Sequence, residues 1–517
     1  MLHHEMWRDE LQAWLLARDT VSLRDLFHQL RYEGHPALWY LVLRPITALS
    51  RDPRWMQWLS VVLGASSAYV FARFAPFTRA IRVLFAFGYF VVYGYTIVAR
   101  SYGLQMLLLL ILCAVIAGRR SRILVALLLI LIANTSVYGG IIVLALVGAF
   151  VMEAVWEGRK SHSVRRRLRD ASVVVLSGLV GVALLAAQVR RPADAPFDGN
   201  GLGAATLHGA PVQVRHQAPA QRLTPVWRAY VPIPATGSLS DLWNSDFVLG
   251  RSQRAERAAL LASAVMLAMA IVILRKSTLA LVFFVLATGG ILLFSLLIYV
   301  GSLYHHGHFV LVLVMALWLA ASERRAAELA ERSSATGSDP SPAARREIRG
   351  ETHRAKRHRL LAALDEHSQL LIGLFLLVQV VGAAFRLVAD YRFPFSEGKA
   401  AAEYIRSHGL RDSVLAVDPA FQGATVSGYL DRPLCEVGTG VRATYTPLRA
   451  GPSQLSNPEI LSALKARCME PGRSAILITN RPLDTSDPAL SITPLQRLPQ
   501  TIIASEGFYV YDVRSLH

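Results

Sequence analysis

Residues 278–300, TLALVFFVLATGGILLFSLLIYV, run for 23 positions without a charged side chain. As a helix rising about 1.5 Å per residue, this stretch would be about 35 Å long, enough to cross a hydrocarbon core of roughly 30 Å. It is apolar on every face, unlike the surface helix of a water-soluble domain, so it reads as a membrane-spanning helix and decides the fold class. Similar stretches lie on either side, at 56–72, 80–97, 101–117, 137–155, 172–188, 257–274 and 368–388. Shorter ones at 122–133 and 305–321 are needed as crossings to keep the orientation consistent, giving about ten transmembrane helices. Composition agrees: 53% of the 517 residues are hydrophobic and 17% are charged, against about 25% charged in an ordinary soluble domain. The formal net charge of +18 does not point to nucleic acid, because the basic residues sit in short runs between apolar stretches.

Those runs give the orientation, since Lys and Arg gather on the cytoplasmic side of short loops. Arg73, Arg79 and Arg82 follow the first span; Arg119, Arg120 and Arg122 follow the third; Arg165, Arg166, Arg167 and Arg169 follow the fifth. Arg275, Lys276 and the Arg- and Ala-rich stretch 322–367 continue the alternation, and a flexible cytoplasmic loop is expected there. The remaining loops then face outward, including the Gly-, Pro- and Ala-rich loop 189–256, which reads as a disordered linker. Residues 36–50 are apolar but short and broken by Arg44 and Pro45, so they are placed on the outer membrane surface rather than across it. The expected division is an outer segment 1–54 carrying interfacial helices, a transmembrane domain 55–389, and an extracytoplasmic domain 390–517. No cleavable signal peptide is legible in residues 1–34, so another helix must direct insertion.

The last 125 or so residues are less apolar and alternate short elements. Helices are expected at 396–408, with Ser396 as cap and Gly409 as stop, and at 457–467; strands are expected at 413–417, 475–479 and 509–513. This is a small soluble α/β domain, and no glycine-rich phosphate loop follows its strands. Of three cysteines, Cys113 lies in an apolar run and belongs to a core, while Cys435 and Cys468 fall in the C-terminal domain, bonded or free.

A set of polar residues collects on the outward side: Asp9 and Glu10, His35, Arg100 and Tyr102, Asn134 and Tyr138, and His305, His306 and His308. A carboxylate pair beside guanidinium and imidazole groups at a membrane face suits transfer from a phosphate-linked lipid donor. The carboxylate takes a proton from an acceptor hydroxyl, and the cations stabilise charge on the departing phosphate. Each feature also has a plain structural reading. Asp9 and Glu10 can be the acidic first turn of a solvated amphipathic helix, and Arg100 can be a snorkelling anchor. The three histidines can hydrogen-bond structurally, contact phosphate or hold a metal, although His305 and His306, being adjacent, would point apart on a helix.

The order of these motifs resembles the GT-C-type membrane glycosyltransferases, in particular the protein O-mannosyltransferase and aminoarabinose-transferase-like branch. Asp9-Glu10 with Gln12-Ala13-Trp14 is similar to that family's first outer-loop acidic motif, and Gly34-His35-Pro36-Ala37-Leu38-Trp39-Tyr40 to its following His-Pro-Pro segment. Val98-Ala99-Arg100-Ser101-Tyr102-Gly103-Leu104 resembles its Arg-x-Tyr-x-Leu stretch, and Asn134-Thr135-Ser136-Val137-Tyr138-Gly139 stands where the family has a Thr-His-Tyr-type sequence. The family also ends in an outward α/β domain. The resemblance implies inverting, metal-independent transfer of a sugar from a polyprenyl-phosphate donor, without a cofactor, to a glycan, lipid or protein hydroxyl. Asp9 would be the base and Glu10 its neighbour; Arg100, Tyr102, His35, Tyr138, His305 and His306 would bind the substrate and the lipid phosphate.

Two departures stand out. The family has a membrane helix before the acidic motif where eight residues stand here, so the natural start is expected upstream. Histidines also replace the Arg or Lys usual after the penultimate long span, and imidazole, with a reference pKa of about 6.5, is a weaker phosphate clamp. The excess of Arg and Ala over Lys and Asn suggests a GC-rich bacterial genome, which would place the chain in a plasma membrane facing the cell envelope.

Three other classes fit part of the pattern. A transporter predicts ionisable residues near mid-span and internal symmetry, neither of which is legible. A ligase or polymerase using a diphosphate-linked glycan would centre on the large outer loop, where Arg215, His216, Arg222 and Arg228 lie. A non-catalytic scaffold would use the C-terminal domain to bind a partner.

Overall fold

A computed structural model of the chain describes residues 3–118, 121–160, 163–190, 192–194, 223–335, 367–448, 455–470, 473–484 and 489–516. The protein is mostly helical and carries a small sheet near its C-terminus. The N-terminal part contains α1 (Arg8–Asp19), α2 (Leu23–Glu33), α3 (Leu38–Leu49), α4 (Arg54–Phe74), α5 (Arg79–Ala86), α6 (Ser101–Ala117), α7 (Arg122–Ala133), α8 (Val137–Lys160) and α9 (Val164–Val189). After them come α10 (Pro225–Tyr230), α11 (Gln253–Leu274), α12 (Thr278–Leu297), α13 (Leu303–Ala335) and α14 (Ser368–Arg392).

Among the described residues seven segments are long and apolar enough to cross a membrane: Arg79–Ile97, Val137–Arg159, Ala171–Val189, Gln253–Leu274, Thr278–Leu297, Leu303–Glu328 and Ser368–Arg392. Gln253–Leu274, Thr278–Leu297 and Ser368–Arg392 expose apolar side chains, Leu261, Leu293, Leu297, Leu374 and Val388 among them, as lipid-facing surface requires, whereas the apolar window of Leu303–Glu328 is buried inside the protein. The stretch expected at 56–72 forms a 21-residue helix outside this set, and 101–117 and 122–133 form shorter apolar helices. The stretch expected at 305–321 is the start of a 33-residue helix. It begins two residues earlier and continues through the charged residues that ended the apolar run. Residues 336–366, and with them most of the expected cytoplasmic loop, lie outside the described residues, as do 195–222 of the long outer loop.

The stretch expected as one span at 80–97 is interrupted. After α5 the chain passes Phe87 and Gly88 and winds as a π-helix over Phe90–Ile97, closed by a hydrogen bond from Val98 N to Tyr93 O at 3.2 Å. π-helical segments are rare and, where they occur, are frequently at functional sites; this one delivers the chain into Val98-Ala99-Arg100.

The C-terminal domain holds α15 (Gly398–Ser407), β1 (Val414–Asp418), α16 (Gly423–Leu430), β2 (Leu434–Glu436), β3 (Arg442–Ala443), α17 (Asn457–Arg467), β4 (Ala475–Thr479), β5 (Leu490–Leu498) and β6 (Phe508–Ser515). The sheet order is β3-β2-β1-β4-β6-β5, with β1 parallel to β2 and β4 and the other pairs antiparallel. Alternate side chains of β1 and β4 point to opposite faces, and both faces are covered. Ala416, Leu477 and Val513 pack on Ile460, Leu461 and Leu464 of α17, while Leu415, Val417, Ile476 and Val510 pack on Ala401, Ile405 and Val426 of α15 and α16. The structure bonds Cys435 to Cys468, tying β2 to the end of α17. Ser396 lies two residues before α15 rather than at its cap, where its hydroxyl accepts from Gly398 N at 3.1 Å.

Candidate functional site

The helix α1 carries both carboxylates and is not a solvated surface helix: Arg8, Glu10, Leu11, Trp14, Leu15 and Leu16 are all buried. Adjacent residues on a helix stand about 100° apart, and the two acids go to different places. Glu10 is fully buried. Its Oε1 accepts from Ala99 N at 2.7 Å, and its Oε2 from Trp7 N at 3.3 Å and from His4 Nε2 at 3.1 Å. The bond to Trp7 N is the acidic half of a capping box. The other ring nitrogen of His4 is 3.0 Å from both oxygens of Asp390, near the end of α14. With a carboxylate on each side, the ring donates from both nitrogens. Burial opposes its charge, but Asp390 and Glu10 together raise its pKa to about 10.

Asp9 faces a cleft. Its Oδ2 lies 2.9 Å from Arg100 Nη1 and accepts from the Tyr304 hydroxyl at 3.2 Å, while its Oδ1 is 3.9 Å from Arg8 Nε. Arg100 directly precedes α6; the bond from Ala99 N to Glu10 therefore fixes the residue beside it, and so sets Arg100 against Asp9. Arg100 Nη2 is 3.5 Å from His35 Nε2, and His35 Nδ1 bonds Glu33 O at 2.9 Å. Gly34 makes this turn possible: it ends α2 in the left-handed region, at φ 67°, and its N–H caps Leu30 O. The next turn is held from below, because Ala37 N donates to Gln188 Oε1 at 2.9 Å and Gln188 Nε2 donates to Asn134 Oδ1 at 2.6 Å.

The cleft, about 730 Å³ including its open mouth, is lined by Asp9, Gln12, Glu33, His35, Trp39, Tyr40, Arg100 and Thr135 on the helical side and by Phe421, Thr446 and Leu448 of the C-terminal domain. Of the residues singled out from sequence, the structure brings Asp9, His35 and Arg100 together here. It does not bring Glu10, whose oxygens are taken as described, nor Tyr102, Tyr138, His305 and His306, to the cleft wall. Tyr102 packs behind Arg100 against Tyr304 and His305, with ring centroids 5.8 and 5.6 Å apart. Tyr138 stacks on His308 at 4.4 Å. His305 Nδ1 accepts from Ser302 N and His306 Nε2 contacts Val300 O, both at 2.9 Å; all three histidines are buried in the turn that starts α13. Among the described residues no group of three or more His, Cys, Asp and Glu is placed to hold a metal. Of the loop residues a glycan ligase would use, Arg215, His216 and Arg222 lie outside the described residues, and Arg228 belongs to α10, away from the cleft.

Glu33 is the cleft carboxylate that sequence reasoning missed. It ends an amphipathic helix, 24 positions beyond Asp9 in the chain, and reaches the site because α2 folds back so that its last turn lies beside Gln12 of α1. Burial raises its pKa to about 7, against the opposing effects of the Gln12 hydrogen bond and of Arg100. Gln12 Nε2 donates to Glu33 Oε1 at 2.7 Å.

Comparison with protein-family models, curated proteins and solved structures finds no match to this chain.

Proposed function

We propose that this protein is a polytopic membrane glycosyltransferase that moves a sugar from a polyprenyl-phosphate donor to an acceptor hydroxyl, with inversion, in the cleft between the helices and the C-terminal domain. The observation that carries the reading is the Asp9–Arg100 pair, 2.9 Å apart in a cleft that both parts of the protein wall. A base and a cation side by side are what a single displacement at an anomeric carbon needs. The acceptor O–H gives its proton to the Asp9 carboxylate as the acceptor oxygen bonds to C1. The bond from C1 to the phosphate oxygen breaks, its electron pair stays on the phosphate, and Arg100 stabilises the charge gained there. Before reaction Asp9 shares Arg100, so the donor phosphate must draw the guanidinium over and leave the carboxylate for the acceptor. His35, beside Arg100 on the same wall, is the second group within reach of that phosphate.

This reading counts about ten crossings, adding α4, α6 and α7 to the seven longer spans. It puts the cleft and the C-terminal domain outside a bacterial plasma membrane. The Cys435–Cys468 disulfide supports that sidedness, since such bonds persist in oxidising compartments. The reading uses the bilayer, the lipid donor and a glycan, lipid or protein acceptor as partners, and neither cofactor nor nucleic acid. It is tested by release of free polyprenyl phosphate from a panel of polyprenyl-phosphate sugars. Asp9→Asn should abolish release while the protein stays folded; an unaffected rate would remove Asp9 from the chemistry.

A further inference from the structure

Three cleft residues, Phe421, Thr446 and Leu448, belong to the C-terminal domain, and the structure holds them firmly against the helix that carries Asp9. Gln12 lies one turn beyond Asp9 on α1, where positions three apart share a face. Its side-chain amide forms a two-way pair with the backbone of Thr446, accepting from Thr446 N at 2.8 Å and donating to Thr446 O at 2.9 Å. The Thr444 hydroxyl donates to Asp19 Oδ2 at 2.6 Å at the other end of α1. The Arg8 guanidinium sits 4.8 Å from the centre of the Phe421 ring and donates to Ser505 Oγ at 3.0 Å. One helix therefore sets both Asp9 and the opposite wall, and the distance between them is a built quantity.

The two walls of the cleft differ in chemistry. On the helical wall Arg100 and His35, beside the Asp9 carboxylate, suit a phosphate. On the facing wall Phe421 and Leu448 offer an aromatic ring and an aliphatic side chain, with the Arg8 guanidinium over the Phe421 ring, while the Gln12 amide and the Glu33 carboxyl line the same cleft. Trp39 Nε1, from another residue of this lining, is a buried donor without a hydrogen-bond partner among the described residues. An apolar platform edged by a few placed donors and acceptors suits a ring with one C–H face and a rim of hydroxyls. An extended peptide would instead need open backbone groups, and those of Thr446 are taken by Gln12.

We propose that Phe421, Thr446 and Leu448 form the acceptor subsite and that the acceptor is a carbohydrate whose pyranose ring lies on Phe421, with Gln12 setting its distance from Asp9. The proposal rests on the reading of Asp9 as the base, and the experiment separates the two. Release of polyprenyl phosphate by the full-length protein is measured without acceptor, where water is the nucleophile, and then with a series of methyl pyranosides and disaccharides or with Ser- and Thr-containing peptides. Stimulation by pyranosides is expected. In Phe421→Ala the concentration giving half-maximal stimulation should rise about tenfold, the scale of losing one ring contact, and Phe421→Tyr should restore it. Each variant is first checked for a wild-type unfolding transition, and Leu448→Ala is the second variant should Phe421→Ala not fold. Asp9-dependent release without any pyranoside stimulation overturns this proposal and leaves the parent reading standing. Stimulation by peptides alone, or pyranoside stimulation unchanged in Phe421→Ala, also overturns it. No release under any condition removes the parent reading itself.

Discussion

Replacing His4 by Gln tests whether a buried imidazolium holds the site together. His4 is buried with both ring nitrogens on carboxylates, and its pKa is raised from 6.5 to about 10. A group whose folded pKa exceeds its unfolded value adds stability that is complete below the unfolded pKa and is lost as pH rises through the folded one. Here the window runs from pH 6.5 to 10. A rise of this size corresponds to about 5 kcal/mol. By pH 9.5 about 4 kcal/mol of this is lost. The raised carboxyls Glu5, Glu33 and Glu506, each at about 7, are largely ionised by pH 8 and contribute little change above it. Thermal unfolding of the detergent-solubilised protein, followed by tryptophan fluorescence at pH 6.5, 8.0 and 9.5, should show wild type losing stability steadily. His4→Gln should start about 3 to 5 kcal/mol lower at pH 6.5, the cost of leaving buried carboxylates without their cation, and should change far less with pH. Parallel pH dependences of the two proteins would refute the argument.

Two other changes probe the same geometry. Arg100→Ala should weaken donor binding by about 1.5 to 3 kcal/mol, the scale of a charge-assisted hydrogen bond, as measured by titration with a polyprenyl phosphate; Arg100→Lys should recover only part because it loses the planar fork. Gly103→Ala should lower turnover without removing any polar group, because a Cβ there would clash with the backbone oxygen of Tyr95 and force α6, with Arg100 at its start, away from the π-helical segment. A wild-type rate in Gly103→Ala would show that the register of Arg100 is not set there.

Apolar runs announced most of the helices because a charge inside hydrocarbon is costly wherever it falls, so the signal is local. Strand β4 and helix α17 were legible to the residue, one as a short apolar run closed by Thr479 and the other as a helix preceded by Ser456 with Pro near its start. Strands β2 and β3, of three and two residues, are too short to show any period, and β5, at the edge of the sheet, interleaves Ser491, Thr493, Gln496 and Arg497 with its apolar residues and is broken by Pro494. Helix α13 was read short because its second half, from Ser322 onward, is charged and continues the helix past the apolar stretch. The π-helical segment before Arg100 leaves no mark in composition: Phe90–Ile97 is an apolar run like its neighbours, and it packs against α4, α14 and α13.

The acidic pair shows how far one rule of geometry could have gone. With about 100° between successive side chains, Asp9 and Glu10 could not both face one substrate, so a pair read as a single catalytic unit had to divide its work. The structure makes Glu10 the anchor: it joins the first turn of α1 to Ala99 and, through His4, to Asp390 of α14. Asp9, held on the other side of that turn, faces Arg100 and the cleft. The resemblance named Asp9 as the base and Glu10 as its neighbour, but the physical reason for that division was not legible, since it depends on two distant partners, Ala99 and Asp390. Once those contacts are fixed the assignment is forced: turning α1 to bring Glu10 into the cleft would break the bonds to Ala99, Trp7 and His4 together.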